Sequence, residues 1–539
     1  MWVRSKTSSR PTKGCARPEE VVEISGLFPT MPNILKRLIV SLFEKMGYGI
    51  VNLRKNRHAV VNVCANNRGN DIDPFIWHEN LILEEVAAAV LARAGEQLLD
   101  YYFRLQDKNR ESSRAIARKA AVLFKKAIDL APDRFADYRS LWTAHYYLGE
   151  KTHAYGLMNA MSARQAQAAK LLYLDRLGIR FLSEQFITNI GVITHLEVYL
   201  KAMMLGLVKQ NDLIILLKTY RPANESFLKY FSPFVRIVSD PDMVSRLSSF
   251  EPYLADDIHW AIPINGVPTP LSRAATEVRR LWYEAKRPPL LKLETEHEVH
   301  GTMKLRSLGF PEDGWFVGLH MRESRKRDDL YRDVIVDSYA QAIEEIVGRG
   351  GWVVRIGDGA TTPLPGQKGV IDLAHSEGEP DWMDIFVIAK SRFFISTGSG
   401  PGGVPYSFGV PNLLTNYMPI ATIASTPDDL VMPKMVYSER ENRMLTFREL
   451  FSAPVADFNF QYEYESLGLR SVDNTSEEIH AAVVEMFDRL DSAFSPTHAA
   501  DELQRKFRNI SSECRTETGG RIYSELPGIF LRNHAGLLT

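Results

Sequence analysis

The sequence predicts an α/β protein: two Rossmann-like domains facing a cleft, preceded by an α-helical, tetratricopeptide-like N-terminal region. Three observations predict it. Short β-rich runs alternate with helical runs from about residue 180 to 238, and a second alternation of the same kind starts near Trp315. Ahead of both, residues 84–177 place Ala, Leu and Tyr at spacings of three and four. Strand–helix alternation reads as βαβ units on a parallel sheet. The expected organisation is an extended or disordered segment over 1–30 and a helical region over 31–176. Rossmann-like domains over 177–300 and 301–475 follow, then C-terminal helices and a tail over 476–539.

Composition bounds the answer. The chain has 539 residues, 65 Lys and Arg against 66 Asp and Glu, and a net charge of -1. At roughly 150 residues per domain, three or four domains are expected. Hydrophobic residues make up 45% and charged residues 24%, which excludes a wholly disordered or fibrous chain. The charge balance gives no nucleic-acid signal. Cys15, Cys64 and Cys514 lie far apart, which argues against a disulfide framework or a structural zinc site and fits a reducing compartment. No run reaches the ~18 apolar residues of a membrane span, and the N-terminus lacks a secretory pattern. A cytoplasmic protein is expected. Residues 1–70 nevertheless carry 12 Lys and Arg against 4 Asp and Glu, a net of +8. With the amphipathic stretch of Ile34, Leu35, Leu38, Ile39, Leu42 and Phe43, this head either rests on the anionic inner face of a membrane or packs as an ordinary helix.

In the helical region, Ala120, Phe124, Ala127 and Pro132 have the spacing of the second helix of a tetratricopeptide-type repeat. Small alanines let helices approach, Phe124 fills the groove, and Pro132 stops the helix. Tyr138, Leu141 and Ala154 continue the register. A plain helical packing domain and a peptide-binding groove both fit this pattern. The first alternation runs through a strand at 179–182, a helix at 194–205 and strands at 213–217 and 234–238. Residues 251–289 read as irregular because of Pro263, Pro268 and Pro270, as a lid, a linker or loops.

The second alternation predicts strands at 316–319, 352–356, 370–373, 393–396 and 411–415. Helices are expected at 336–347 and 382–389, with a helix start at 404–408. Thr475 and Glu478 form a capping box that opens a helix through Leu490. Ligands of such sheets lie beyond the carboxyl ends of the strands.

The candidate chemistry sits at those ends. The strand at 316–319 runs into His320, Met321 and Arg322. Arg322 offers a planar fork of donors suited to phosphate oxygens, and His320 points the same way on an extended chain. Residues 324–327 add positive charge. A strand-end Arg in a salt bridge is the competing reading. The strand at 393–396 becomes a turn of Ser396, Thr397, Gly398, Ser399 and Gly400, then Pro401, Gly402 and Gly403. Glycines let the backbone approach a ligand, and free amides at a helix start attract anions. The turn is neither GxGxxG nor a P-loop. Gly357 and Asp358 end a third strand, where the loop either contacts a base or ribose or is capped by Asp358. In the first half, Gly191 allows a tight loop and His195 stands near a helix start. Its ordinary pKa of about 6.5 suits a general base. Glu184 and Glu197 are rival bases, and a packing role is the alternative for His195.

These residues resemble a family of bacterial glycosyltransferases encoded with surface-polysaccharide genes. The motifs are Gly318-Leu319-His320-Met321-Arg322, Val353-Val354-Arg355-Ile356-Gly357-Asp358 and Phe394-Ile395-Ser396-Thr397-Gly398-Ser399-Gly400-Pro401. Residues 191–206, Met432-Pro433-Lys434 and Val472-Asp473-Asn474-Thr475 fit as well. The resemblance covers roughly residues 180–490. The His-x-Arg element is similar to that of fucosyltransferases, although Glu323 stands where a second Arg is often seen. The resemblance implies a GT-B-like fold, with an acceptor domain first and a nucleotide-sugar domain second. It implies sugar transfer from a nucleotide-sugar, a substrate rather than a cofactor, to a glycan or lipid-linked acceptor, without a bound metal. Arg322 and His195 would be catalytic. His320, Gly357, Asp358, Ser396, Thr397, Gly398, Ser399, Gly400 and Lys434 would join Arg322 around the donor. Three other readings stay open. One is a metal-dependent GT-A transferase, for which Asp240-Pro241-Asp242 and Asp71-Ile72-Asp73 are the carboxylate pairs. The others are a nucleotide-sugar epimerase and a scaffold that recruits partners through the helical region.

Overall fold

A computed structural model describes the backbone of residues 74–105, 111–256, 261–264, 267–323, 327–376, 378–420, 425–514 and 522–539. The amphipathic stretch at 34–43, the basic head, and Asp71 and Asp73 lie outside the described residues, as do residues 324–326. By contacts the chain divides into residues 1–93 and residues 94–539, and the second unit holds everything described below.

Its first layer is helical: α1 (Glu111–Leu130), α2 (Phe135–Tyr147) and α3 (Lys151–Leu171) pack in sequence order. Ala120, Phe124 and Ala127 are all fully buried, as small residues and a groove-filling ring at one helical face require. The turn between α2 and α3 is closed at Gly149, whose φ of 79° favours glycine.

Two parallel sheets follow. The first has the order β3-β2-β1-β4, with β1 Ile179–Leu182, β2 Leu213–Leu217, β3 Arg236–Val238 and β4 Ala255–Asp256. Helix α4 (Ile190–Met204) follows β1, and α5 (Leu271–Glu284) lies against it. The second sheet has β5 (Phe316–His320), β6 (Trp352–Ile356), β7 (Val370–Asp372), β8 (Phe394–Ser396), β9 (Asn412–Tyr417) and β10 (Leu430–Pro433). Its order is β10-β9-β8-β5-β6-β7, every pair parallel. Strand order reverses between β5 and β8. That is the topological switch point at which open α/β sheets bind ligands.

Apolar runs build these strands because both faces are covered. Alternate residues go to different cores: Phe316, Val354 and Phe394 face one cluster, and Val317, Val353 and Ile395 face the other. The first cluster continues into the first lobe through Leu182, Ile193 and Phe227. Helix α6 (Asp381–Lys390) lies at this seam and also binds the first lobe, where Asn224 donates to the Asp381 carbonyl at 2.9 Å.

Two expectations are corrected. Residues 251–289 are not irregular throughout, because α5 occupies 271–284. Leu271, Ala274, Ala275, Val278 and Trp282 recur at helical spacing and are buried. The helix expected at 194–205 begins at Ile190, because the Asn189 side chain accepts from the Val192 amide at 3.0 Å and caps it there. The helix through Leu490 starts on the expected box, with Thr475 and Glu478 capping each other's backbone.

Candidate functional site

Four adjacent strand ends of the second sheet, those of β9, β8, β5 and β6, open onto one cavity of about 880 Å³. Its walls carry Arg322 and Glu323 from β5, residues 397–403 from β8 and Asp358 from β6. From the facing lobe come Asn189, Gly191, Thr194 and His195 at the start of α4, and Arg273 and Arg279 from α5. Arg332 completes four lining arginines against two lining carboxylates, and Glu197 and Asp333 pair with two of those arginines from behind the wall.

Register makes this convergence unavoidable. His320 pairs with Ser396 across β5 and β8, so the next residues of each strand leave the sheet side by side. The Arg322 amide then donates to Thr397 Oγ1 at 3.1 Å, and Ser399 Oγ lies 2.9 Å from His320 Nδ1. Arg332 Nη1 donates to the Gly398 carbonyl at 3.4 Å. Burial pushes His320 down to about 4, helped by the Arg355 and Arg322 charges. At pH 7 it is neutral. It serves as a hydrogen-bonding wall, and the guanidinium groups carry the positive charge.

The Arg322 guanidinium stands 3.5 Å from Asp333 and keeps 18% of its side chain exposed. Lys434 does not line the cavity, contrary to expectation. It is buried, with Nζ 2.7 Å from Asp473 and donating to the Asp333 carbonyl at 2.5 Å. It steadies the segment that presents Asp333 to Arg322. Ser396 is also displaced from the expected role, because a strand's side chains alternate faces and its hydroxyl bonds Asn412 in the core at 2.9 Å. Gly357 does not line the cavity either. Its φ of 145° favours glycine, and a Cβ there would stand 3.7 Å from the His320 ring. Asp358 caps its own turn through the Ala360 amide at 3.0 Å, and it also lines the cavity. Arg355, buried behind it, bonds Thr361, Thr362 and Asp372 and sets the shape of that loop. Glu323 accepts from the Thr362 amide and hydroxyl, which ties β5's exit to β6's.

Among the three candidate bases, His195 alone lines the cavity. Glu184 accepts a bond from Thr219 at the surface. Glu197 is fully buried between Arg279, at 3.0 Å, and Lys201. Burial would push its carboxyl up, but the Arg279 and Lys201 charges outweigh burial and hold it below its ordinary value. Asp240 is the cap of a short helix, accepting from Met243, and neither it nor Asp242 lines the cavity.

Glycines let the two lobes touch here. A Cβ on Gly400 would stand 2.7 Å from the Gly191 amide, and one on Gly191 would stand 2.9 Å from Gly400 Cα. Gly191 therefore serves close approach inside α4 rather than a tight loop. Several lining residues carried no sequence signal as site residues: Arg273, Arg279, Arg332 and Tyr406, and Tyr146 and Tyr155 of the helical layer. Arg279 stacks over the Tyr406 ring at 3.8 Å and is 5% exposed. The helical period of α5 marks the element that carries Arg273 and Arg279, but not their place in the site.

No family model and no curated protein matches the chain. Solved structures similar to it include a family 9 glycosyl transferase from Veillonella parvula. It shows 11% identity, 44% of this chain and 79% of that one covered, and a TM-score of 0.27. The dodecameric iron-containing glycosyltransferase TibC of enterotoxigenic E. coli shows 12% identity, 59% and 77% coverage, and a TM-score of 0.32. The E. coli heptosyltransferase WaaC with ADP shows 13% identity, 47% and 90% coverage, and a TM-score of 0.25. Among the described residues, no helix is long and apolar enough to cross a membrane, and no group of three or more metal-ligating side chains occurs.

Proposed function

We propose that this chain is a glycosyltransferase of GT-B-like architecture. It moves a sugar from a nucleotide-sugar to a glycan or lipid-linked glycan in surface-polysaccharide assembly. The observation that carries the reading is the switch point: Arg322 and the Gly-rich 397–403 turn leave adjacent strands into one cavity, with His195 on the facing lobe. Strand ends of the second lobe hold the donor diphosphate, and the first lobe holds the acceptor.

The chemistry follows from the residues. The acceptor hydroxyl oxygen attacks the anomeric carbon, and His195 takes its proton on an imidazole nitrogen. The bond from that carbon to the diphosphate oxygen breaks, and the nucleoside diphosphate leaves with the electron pair. Arg322, Arg332 and the backbone of the 397–403 turn stabilise the charge that develops on it. These groups supply what a divalent cation supplies in metal-dependent transferases, so turnover is expected to survive EDTA.

The test is release of nucleoside diphosphate from UDP-, GDP-, ADP- and TDP-linked sugars in the presence of candidate acceptors. Arg322→Ala should lower turnover by about 10²–10³-fold with the fold intact. Unchanged turnover in that variant contradicts its role, and nucleotide release without sugar transfer contradicts the transferase reading.

A further inference from the structure

The helical layer supplies residues to the same cavity. Tyr146 closes α2, Tyr155 lies in the first turns of α3, and both line it beside Phe460 of the second lobe. The elbow between the two helices turns at Gly149, so the two tyrosines flank the bend. Aromatic contacts brace it. Trp142 stacks on Tyr146 at 4.7 Å and 19°, Tyr147 stacks on Phe460 at 5.0 Å and 24°, and Tyr146 meets the Phe460 edge at 6.5 Å. The other end of the layer holds the first lobe, where Gln165 donates to the Pro252 carbonyl at 2.9 Å. Tyr146, Tyr155 and Arg273 all line this cavity, and burial pushes the Tyr146 phenol up, with Tyr155 pushing it further and Arg273 pulling it back.

Half-buried rings with polar tips beside an arginine have a defined use. A ring face is electron-rich, and the C–H face of a pyranose presents the complementary edge. The phenolic hydroxyls and the Arg273 guanidinium can then bond the sugar's hydroxyl groups. The diphosphate-binding groups belong to the second lobe's strand ends, whereas this corner joins the helical layer to α5 of the first lobe.

We propose that the α2–α3 elbow is the acceptor platform, on which Tyr146 and Tyr155 stack a neutral pyranose ring of the acceptor glycan and Arg273 orients it. This rests on the transferase reading. It makes the helical region a third wall of the site, in addition to any role in recruiting partners.

The test uses the full-length chain and methyl glycosides of glucose, galactose, mannose, N-acetylglucosamine and rhamnose, observed by saturation-transfer NMR. The wild type should saturate the ring protons of at least one glycoside. Tyr155→Ala and Tyr146→Ala should weaken that binding at least tenfold, while Tyr155→Phe, which keeps the ring face, should weaken it less than threefold. Nucleoside diphosphates should raise the melting temperature of all these variants as they do the wild type. No saturation by any glycoside, or full binding in both alanine variants, overturns the platform. Loss of the nucleotide shift with unchanged glycoside binding means that the rings stack the donor base, and also overturns it. Absence of a nucleotide shift in the wild type would count against the donor site instead, and leaves the glycoside result to judge the platform.

Discussion

The two lobes share a strand order around their first strand and place charge in opposite ways. In the second lobe, Arg322 sits at a strand end, 18% exposed, with one carboxylate 3.5 Å away. In the first, the arginines ride on α5, a helix packed against α4. Arg273 and Arg279 are 8% and 5% exposed, and Arg279 is locked to Glu197. A strand end can present a charge to a ligand. A buried helix face holds a charge in place and needs a buried carboxylate to do so. The strand-end charge is thus partly exposed, whereas the helix charges are buried and paired.

The largest effect should come from breaking the buried pairs. Glu197→Gln leaves Arg279 and Lys201 buried without their shared carboxylate, and should cost roughly 3–5 kcal/mol in denaturant unfolding. Asp333→Asn, the matching change at the strand end, touches a pair 3.5 Å apart that keeps 18% and 14% of its side chains exposed, and should cost less than Glu197→Gln. Equal losses would erase the distinction between the lobes.

Next comes the seam. Asp384 on α6 is pushed up to about 7 by burial, then by the Asp381 and Glu379 charges. A carboxyl whose folded value exceeds its unfolded value stabilises fully only when protonated, below about pH 4. That contribution is lost as pH rises through 7. Asp384→Asn should therefore raise stability at pH 8 by roughly 2–4 kcal/mol and leave it unchanged near pH 4. Equal melting temperatures at pH 8 would show that the seam accommodates an ionised carboxylate at no cost.

Gly400→Ala drives a methyl to 2.7 Å from the Gly191 backbone, which cannot swing aside. A loss of about 1–3 kcal/mol and a matching fall in turnover are expected. Wild-type stability would mean that the lobes separate freely at this point. Thr475→Ala should cost about 1 kcal/mol through its lost cap.

The same contrast governs what could be read in the sequence. Strands of the second lobe are continuous apolar runs followed by abrupt polar residues, so both the element and the site residue at its end are visible, as at His320, Arg322 and Thr397. The register that joins them is a property of pairing between residues about 75 positions apart, which no local pattern carries. Arg273 and Arg279 stayed hidden because Pro263, Pro268 and Pro270 mask a helix whose apolar spacing is otherwise regular. Lys434 looks like a free cation in sequence, because its partner Asp473 comes from a distant segment. Tyr146 and Tyr155 read as packing residues of a helical layer, and only the closure of that layer over the lobes makes them walls.

The central claim is that Arg322 and the 397–403 turn together hold a nucleoside diphosphate. Thermal shift with UDP, GDP, ADP, CDP and TDP on the wild type and on Arg322→Ala tests it most directly, because a ligand that binds only the native state raises its stability with ligand excess. A concentration-dependent rise is expected for at least one nucleotide, reduced at least tenfold in apparent affinity by the substitution. No rise with any nucleotide, or an equal rise in the variant, would contradict it.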